Sequence, residues 1–188
     1  MLDRIQSGLE GTARGAAIIG GAAMCAAAFM VTMDVISRKV FGVTMRGSDE
    51  ITGYIFAAST TWAYAYAMLT RSNIRIDVAY VALNTKARAL LDLLALGLLT
   101  LYIFLLARSA WSVVEESWTF NYTAQTPLAT PLWLPQSFWF AGLAFMLLCL
   151  AFLSLRCLWC LAKADWQGIG ALAGVKSLDQ EIEEETHV

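Results

Sequence analysis

The stretch Leu134–Leu155, LPQSFWFAGLAFMLLCLAFLSL, contains no Asp, Glu, Lys, Arg or His. A helix rises about 1.5 Å per residue and needs roughly 20 apolar residues to cross the hydrocarbon core of a bilayer, so this stretch is long enough by itself. Lipid offers the backbone no hydrogen-bond partner, and a helix is the form such a span takes. The pattern recurs. Gly15–Met33 and Ile51–Thr70 lack the same five residue types, and Ala89–Val114 carries only Asp92 near one end and Arg108 near the other. The sequence therefore predicts an all-α integral membrane protein with four transmembrane helices, at about 15–36, 51–70, 89–112 and 134–161.

Composition agrees with this reading. Of 188 residues, 59% are hydrophobic and 15% charged, and the mean hydropathy is +0.60, outside the usual range of soluble domains. The four stretches use most of the length, so a single membrane domain over 1–188 is expected. The formal net charge of −2 averages a basic middle with the acidic tail Asp179–Glu185, in a segment of about 176–188 that reads as a solvated end. No nucleic-acid partner is expected.

Orientation follows from Lys and Arg on either side of the spans. Arg4, Arg14, Arg71, Arg75, Lys86, Arg88, Arg156, Lys163 and Lys176 fall on one side, against Arg38, Lys39 and Arg46 on the other. Nine against three puts both termini in the cytoplasm. Met1–Arg14 carries Asp3 and Glu10 and leads into a stretch of full spanning length, so it reads as the approach to an uncleaved first helix rather than a secretory signal.

The first span is rich in small residues, among them Gly20, Ala23 and Ala27, and the second repeats the theme with Gly53 and Ala57. Small residues three and four apart let helix backbones approach closely and gain dispersion contacts that lipid does not match. Such a face suits a partner protein or packing inside its own chain. The third and fourth spans are dominated by Leu, Phe and Ile, a composition that suits lipid. Pro127, Pro131 and Pro135 gather before the fourth span, and Pro135 marks its entry. Trp111, Trp118, Tyr122, Trp133, Phe138 and Trp139 surround that entry as an aromatic belt.

Chemistry-bearing residues are sparse. His187 is the sole histidine, so haem ligation by paired side chains and a His-based zinc site have no residues to use. Cys157-Leu158-Trp159-Cys160 raises the alternative of a four-helix membrane redox or electron-transfer subunit, or a quinone-linked thiol oxidase. Such an oxidase needs thiol pairs facing an oxidising compartment. This pair falls at the cytoplasmic end of the fourth span, and Cys25 and Cys149 stand alone. Asp34, Asp92 and Arg108 sit near span ends rather than at mid-depth, where intramembrane charges mark transport pathways. Asp34 can pair with Arg38 four residues on, and Arg38 is also in position to pair with Glu50 across the first loop. Neither a catalytic residue, a cofactor site nor a metal site is expected, and the chain reads as a non-enzyme.

Three segments carry a family resemblance. DVISRKVFG at Asp34–Gly42 is followed by Ser48-Asp49-Glu50; RSNIRID spans Arg71–Asp77; TPLWLP spans Thr130–Pro135. In this order and at these spacings they resemble the small membrane subunit of the tripartite ATP-independent periplasmic (TRAP) transporters, the DctQ-type family. The resemblance implies a scaffold subunit in the bacterial inner membrane, bound to a large membrane subunit that carries the sodium and solute sites. A periplasmic solute-binding protein would deliver an organic anion or similar small solute. Subunit or lipid interface candidates are then Gly20, Ala23, Ala27, Arg38, Glu50, Gly53, Ala57, Arg75 and Asp77, with membrane phospholipids as further partners.

Overall fold

The computed structural model describes residues 2–72, 80 and 83–174. Its helices are α1 (Leu2–Phe41), α2 (Ser48–Leu69), α3 (Thr85–Thr119), α4 (Trp133–Ala162) and the short α5 (Trp166–Ala173). Among the described residues the only β pairing is an isolated antiparallel bridge between Thr123 and Pro131. Arg75 and Asp77, the stretch around Ile74, His187 and the acidic tail lie outside the described residues.

Among the described residues, three helices are long and apolar enough to cross a membrane: α1 over Arg4–Phe41, α3 and α4. The 22-residue α2 has the length, but Tyr54, Ser59, Thr60, Thr61, Trp62, Tyr64 and Tyr66 keep it outside that group. At about 1.5 Å per residue, the 40 residues of α1 reach roughly twice the thickness of the hydrocarbon core. Its first turns are accordingly polar, with Gln6 donating to Glu10 at 2.8 Å.

Local chemistry sets the helix ends. Gly42, at φ +68°, takes the left-handed conformation that ends α1. Asp49 and Glu50 put negative charge on the first turn of α2, where the helix dipole favours it. Asn84 caps α3, its Oδ1 accepting from Ala87 N–H at 2.9 Å, and Asp165 caps α5 by accepting from Gly168 N–H at 2.9 Å.

The chain divides into two compact units, Met1–Tyr66 with Ile103–Leu147 and Ala67–Tyr102 with Leu148–Val188. In the first, Ala13, Gly20, Ala27 and Asp34 are all buried and lie seven residues apart. That period keeps one narrow seam of α1 facing inward, and small side chains along it allow close backbone approach. Also in this unit, Gly142 of α4 lies against Thr61 and Trp62 of α2; a Cβ there would stand 2.8 Å from Thr61 Cβ and from Trp62 Cδ1. Trp62 stacks on Phe145 with ring centres 5.5 Å apart, and its indole N–H donates to the Phe138 carbonyl at 3.1 Å. On another side of α4, Leu143 packs with Ala107 and Ala110 of α3, joined by Leu106, Trp139, Phe140 and Leu147.

The Leu-rich helices nonetheless bury more of themselves within the chain than α1 does. Within their spanning segments, 33% of α4 is buried, 22% of α3 and only 11% of α1. The reason is geometric: the first half of α4 meets both α2 and α3, whereas α1 buries a single seam.

In the second unit, Leu150, Leu153 and Cys157 of α4, Ala89 and Leu96 of α3 and Ile169 of α5 are buried. The hydroxyls of Thr100 and Ser154 meet at 3.2 Å, a polar tie between α3 and α4. Asp92, 3% exposed, accepts from the Tyr80 hydroxyl at 2.7 Å.

Candidate functional site

The small residues of α1 and α2 fall into two groups. Gly20 is buried against Ser59: a Cβ at Gly20 would stand 3.1 Å from Ser59 Cβ, and Ser59 Oγ donates to the Gly20 carbonyl at 3.2 Å. Ala27 is buried, and Ala23 and Ala57 are half-buried. Of these, Gly20 makes a direct α1–α2 contact inside the chain. By contrast Gly21 and Gly53 are exposed, and a Cβ on either would meet nothing within 4 Å. Beside them α1 shows solvent large apolar side chains, including Ile18, Ile19, Phe29 and Met33.

At the end of α1 and the start of α2 stands a polar cluster centred on Asp34, whose carboxylate is 3% exposed. It accepts from Arg38 Nη2 at 2.7 Å, from Thr44 Oγ1 at 3.1 Å, from Ser48 Oγ at 3.2 Å and from the Met45 backbone N–H. A buried carboxylate is tolerable only when its oxygens are satisfied, and here four donors converge on it from the last turn of α1, the loop after it and the first residue of α2. The expected Asp34–Arg38 pair is present. The expected Arg38–Glu50 pair is not: Arg38 is taken by the carboxylate one helical turn before it, and Glu50 turns to other partners.

Those partners are hydroxyls. Tyr54 donates to Glu50 Oε1 at 2.6 Å and Thr126 donates to Oε2. Hydrogen bonds from Thr126 first, then Tyr54, hold the Glu50 carboxyl below its ordinary range. Thr126 belongs to the proline-bearing segment between α3 and α4, which is folded on itself: Ala124 N–H donates to the Thr130 carbonyl at 2.9 Å and Leu132 N–H to the Tyr122 carbonyl at 2.9 Å. Leu128 of the same segment lies over Gly47, whose φ of +98° and lack of a Cβ both suit the approach. The third loop is thus fastened to the start of α2 by the Thr126 and Thr130 hydroxyls on Glu50 and by Leu128 over Gly47.

Other residues singled out in the sequence lie apart from this cluster. Arg108 and Glu115 are exposed on α3. Cys157 is buried, Cys160 half-buried, and both are free thiols, as are Cys25 and Cys149. Among the described residues no group of three or more His, Cys, Asp or Glu side chains converges.

Residues 24–161, well over half of the chain, match the family model described as "Tripartite ATP-independent periplasmic transporters, DctQ component". The chain belongs to the DctQ family. No curated protein and no solved structure matches. Membership makes it a membrane component of a TRAP transporter that associates with other TRAP components, and a transporter component rather than an enzyme. The matched range takes in the Asp34 cluster, the Glu50 contacts and nearly the whole of α4.

Sequence reading missed Thr44, Ser48, Tyr54, Thr126 and the indole of Trp62. Thr44, Ser48 and Thr126 lie in or beside turns, where no periodicity announces a partner, whereas Tyr54 follows Glu50 by one helical turn. A further signal was available for Asp34: a carboxylate just inside an apolar span needs donors, and the hydroxyls of Thr44 and Ser48 follow 10 and 14 residues on, across the first loop.

Proposed function

We propose that this DctQ-family chain is the small scaffold subunit of a sodium-coupled TRAP transporter in the bacterial inner membrane. It crosses the bilayer four times as one membrane domain, with both termini in the cytoplasm, and α2 is carried across by its neighbours despite its polar content. A large membrane subunit binds sodium and the solute, an organic anion or similar small molecule, and a periplasmic binding protein delivers that solute. The observation that carries this reading is the family match, joined to a first helix that leaves most of its apolar surface uncovered. The large subunit covers that surface over Gly21 and Gly53, while Gly20, Ala23, Ala27 and Ala57 set the α1–α2 geometry beneath it. Arg38 and Glu50 act from the far end of the same helices by fixing the turn between them, and Arg75 and Asp77 complete the contact on the cytoplasmic side.

Reconstituted transport tests the scaffold role. Arg108→Gln and Glu115→Gln, at exposed charged positions of α3, should leave solute preference and the sodium Hill coefficient as in the unmodified complex. A changed preference or coefficient in an intact complex would place this subunit in the transport pathway.

A further inference from the structure

Within the first unit, α3 and α4 run antiparallel in a fixed register. Trp118 meets Trp133 edge-on with ring centres 4.7 Å apart, Trp111 meets Phe140 at 5.3 Å, and Ala107 and Ala110 pack on Leu143. Arg108 therefore lies level with Leu143, nine residues into the charge-free run that begins at Leu134. It stands about one turn to the apolar side of Trp111. Arg108 is exposed, as are the large apolar side chains around it, Phe104, Leu105 and Trp111. Among the described residues no acidic side chain pairs with its guanidinium. Asp34 engages Arg38, Glu50 is held by hydroxyls, and Glu115 stands two turns further along α3.

A guanidinium on an apolar surface at membrane depth calls for an anion beside it, and the surroundings decide what carries that anion. Helix side chains lean toward the N-terminus of their helix. For Arg108 this direction leads away from the Trp111 level and its headgroups, so a lipid phosphate is the poorer match. Ser109 and Ser112 flank Arg108 and are exposed as well, and the Ser112 hydroxyl donates back to the Arg108 carbonyl at 3.4 Å. Small side chains so placed let another helix come close. Leu105, Arg108, Ser112 and Glu115 follow one another at three- and four-residue spacing, the spacing of a helix-packing seam. A second copy of this chain does not fit that seam. Two copies oriented alike in the membrane and related by a two-fold axis would set Arg108 against Arg108.

We propose that this face of α3 is a second contact with the large membrane subunit, whose facing helix presents an Asp or Glu carboxylate level with Arg108. The proposal rests on the subunit reading above and adds the chemistry of the partner: an ion pair within the membrane, beside a close helix–helix approach over Ser109 and Ser112. Loss of the pair weakens assembly. The solute preference of whatever complex still forms stays the same, because the pair touches neither solute nor sodium.

The test uses the full chain, tagged, co-expressed with the transporter genes beside its own and purified in detergent. The large subunit recovered per tagged chain is measured. Arg108→Leu should lower that recovery by about fivefold or more, equivalent to about 1 kcal/mol, and leave the melting curve of the chain purified alone unchanged. Arg108→Lys should restore most of the recovery. Arg108→Glu should fall below Arg108→Leu, because it sets carboxylate against carboxylate. Full recovery with Arg108→Leu would give this face to lipid and overturn the proposal. Equal losses with all three variants would assign the contact to shape rather than charge and overturn it as well. So would a variant chain that by itself melts below the parent, which would place the role of Arg108 inside the chain. An unmodified chain that recovers no large subunit would instead remove the subunit reading, and this proposal with it.

Discussion

Helices α1 and α4 are both long, apolar and free of charge through their centres, yet their apolar 18-residue stretches differ threefold in the share buried within the chain, 11% against 33%. The difference lies in side-chain size. α1 carries small residues at every seventh position and makes one narrow, close seam; α4 carries Trp139, Phe140, Leu143 and Phe145, whose reach lets it fill the space toward two helices at once. Small residues therefore mark where backbones come close, and large ones mark where volume is filled. Neither composition says by itself which helix faces lipid.

Substitutions at the two helices should separate these roles. The largest loss is expected at the end of α1. Asp34→Ala removes one carboxylate and strands donors from Arg38, Thr44, Met45 and Ser48, and buried donors without acceptors are costly. The variant should lose most of its monodisperse protein in detergent and melt well below the parent; an unchanged melting curve would show the turn to be held by other contacts.

Next comes a matched pair of glycines. Gly142→Leu forces a side chain into Thr61 and Trp62 and should cost about 1–3 kcal/mol, the usual range for overpacking, measured by denaturant unfolding of the purified chain. Gly21→Leu meets nothing in the chain, so its stability should stay put while recovery of the large subunit in pull-downs falls several-fold. Should Gly21→Leu pull down its partner at full yield, the uncovered face of α1 belongs to lipid.

The smallest effect concerns pH. The Glu50 carboxyl is held below its ordinary value of 4.5 by Thr126 and Tyr54, so its folded state favours the charged form. The stabilisation is fully present above about pH 4.5, shrinks as the pH falls toward the lowered value, and is gone below it. Thermal melts of the parent between pH 7 and pH 3.5 should therefore fall away at the acid end, and Glu50→Gln should flatten that part of the profile. A parallel decline in both proteins would assign the acid sensitivity elsewhere.

The helical class could be read from the sequence because a bilayer imposes a length and a composition that few other environments demand, and Leu134–Leu155 meets both. The Asp34–Arg38 pair was equally readable, since four residues is one helical turn. What stayed hidden depended on distance along the chain. Which loop hydroxyl would find Glu50 is decided by how a loop 76 residues from Glu50 folds back over it. The burial of α4 was hidden for a related reason: an unbroken apolar run carries no periodic signal of which side meets protein.

The spacing of the stabilising contacts also sets an order of events during synthesis. Every bond to Asp34 comes from within 14 residues along the chain, so the turn after α1 can close as soon as residue 48 has left the ribosome, and the α1–α2 hairpin once α2 has followed. The indole bond of Trp62 and the Thr126 bond to Glu50 each join residues 76 apart and must wait until the third loop and the start of α4 have emerged. A nascent chain halted before Thr126 should therefore already hold a protected first hairpin, with Glu50 and Trp62 still open to solvent-borne labels.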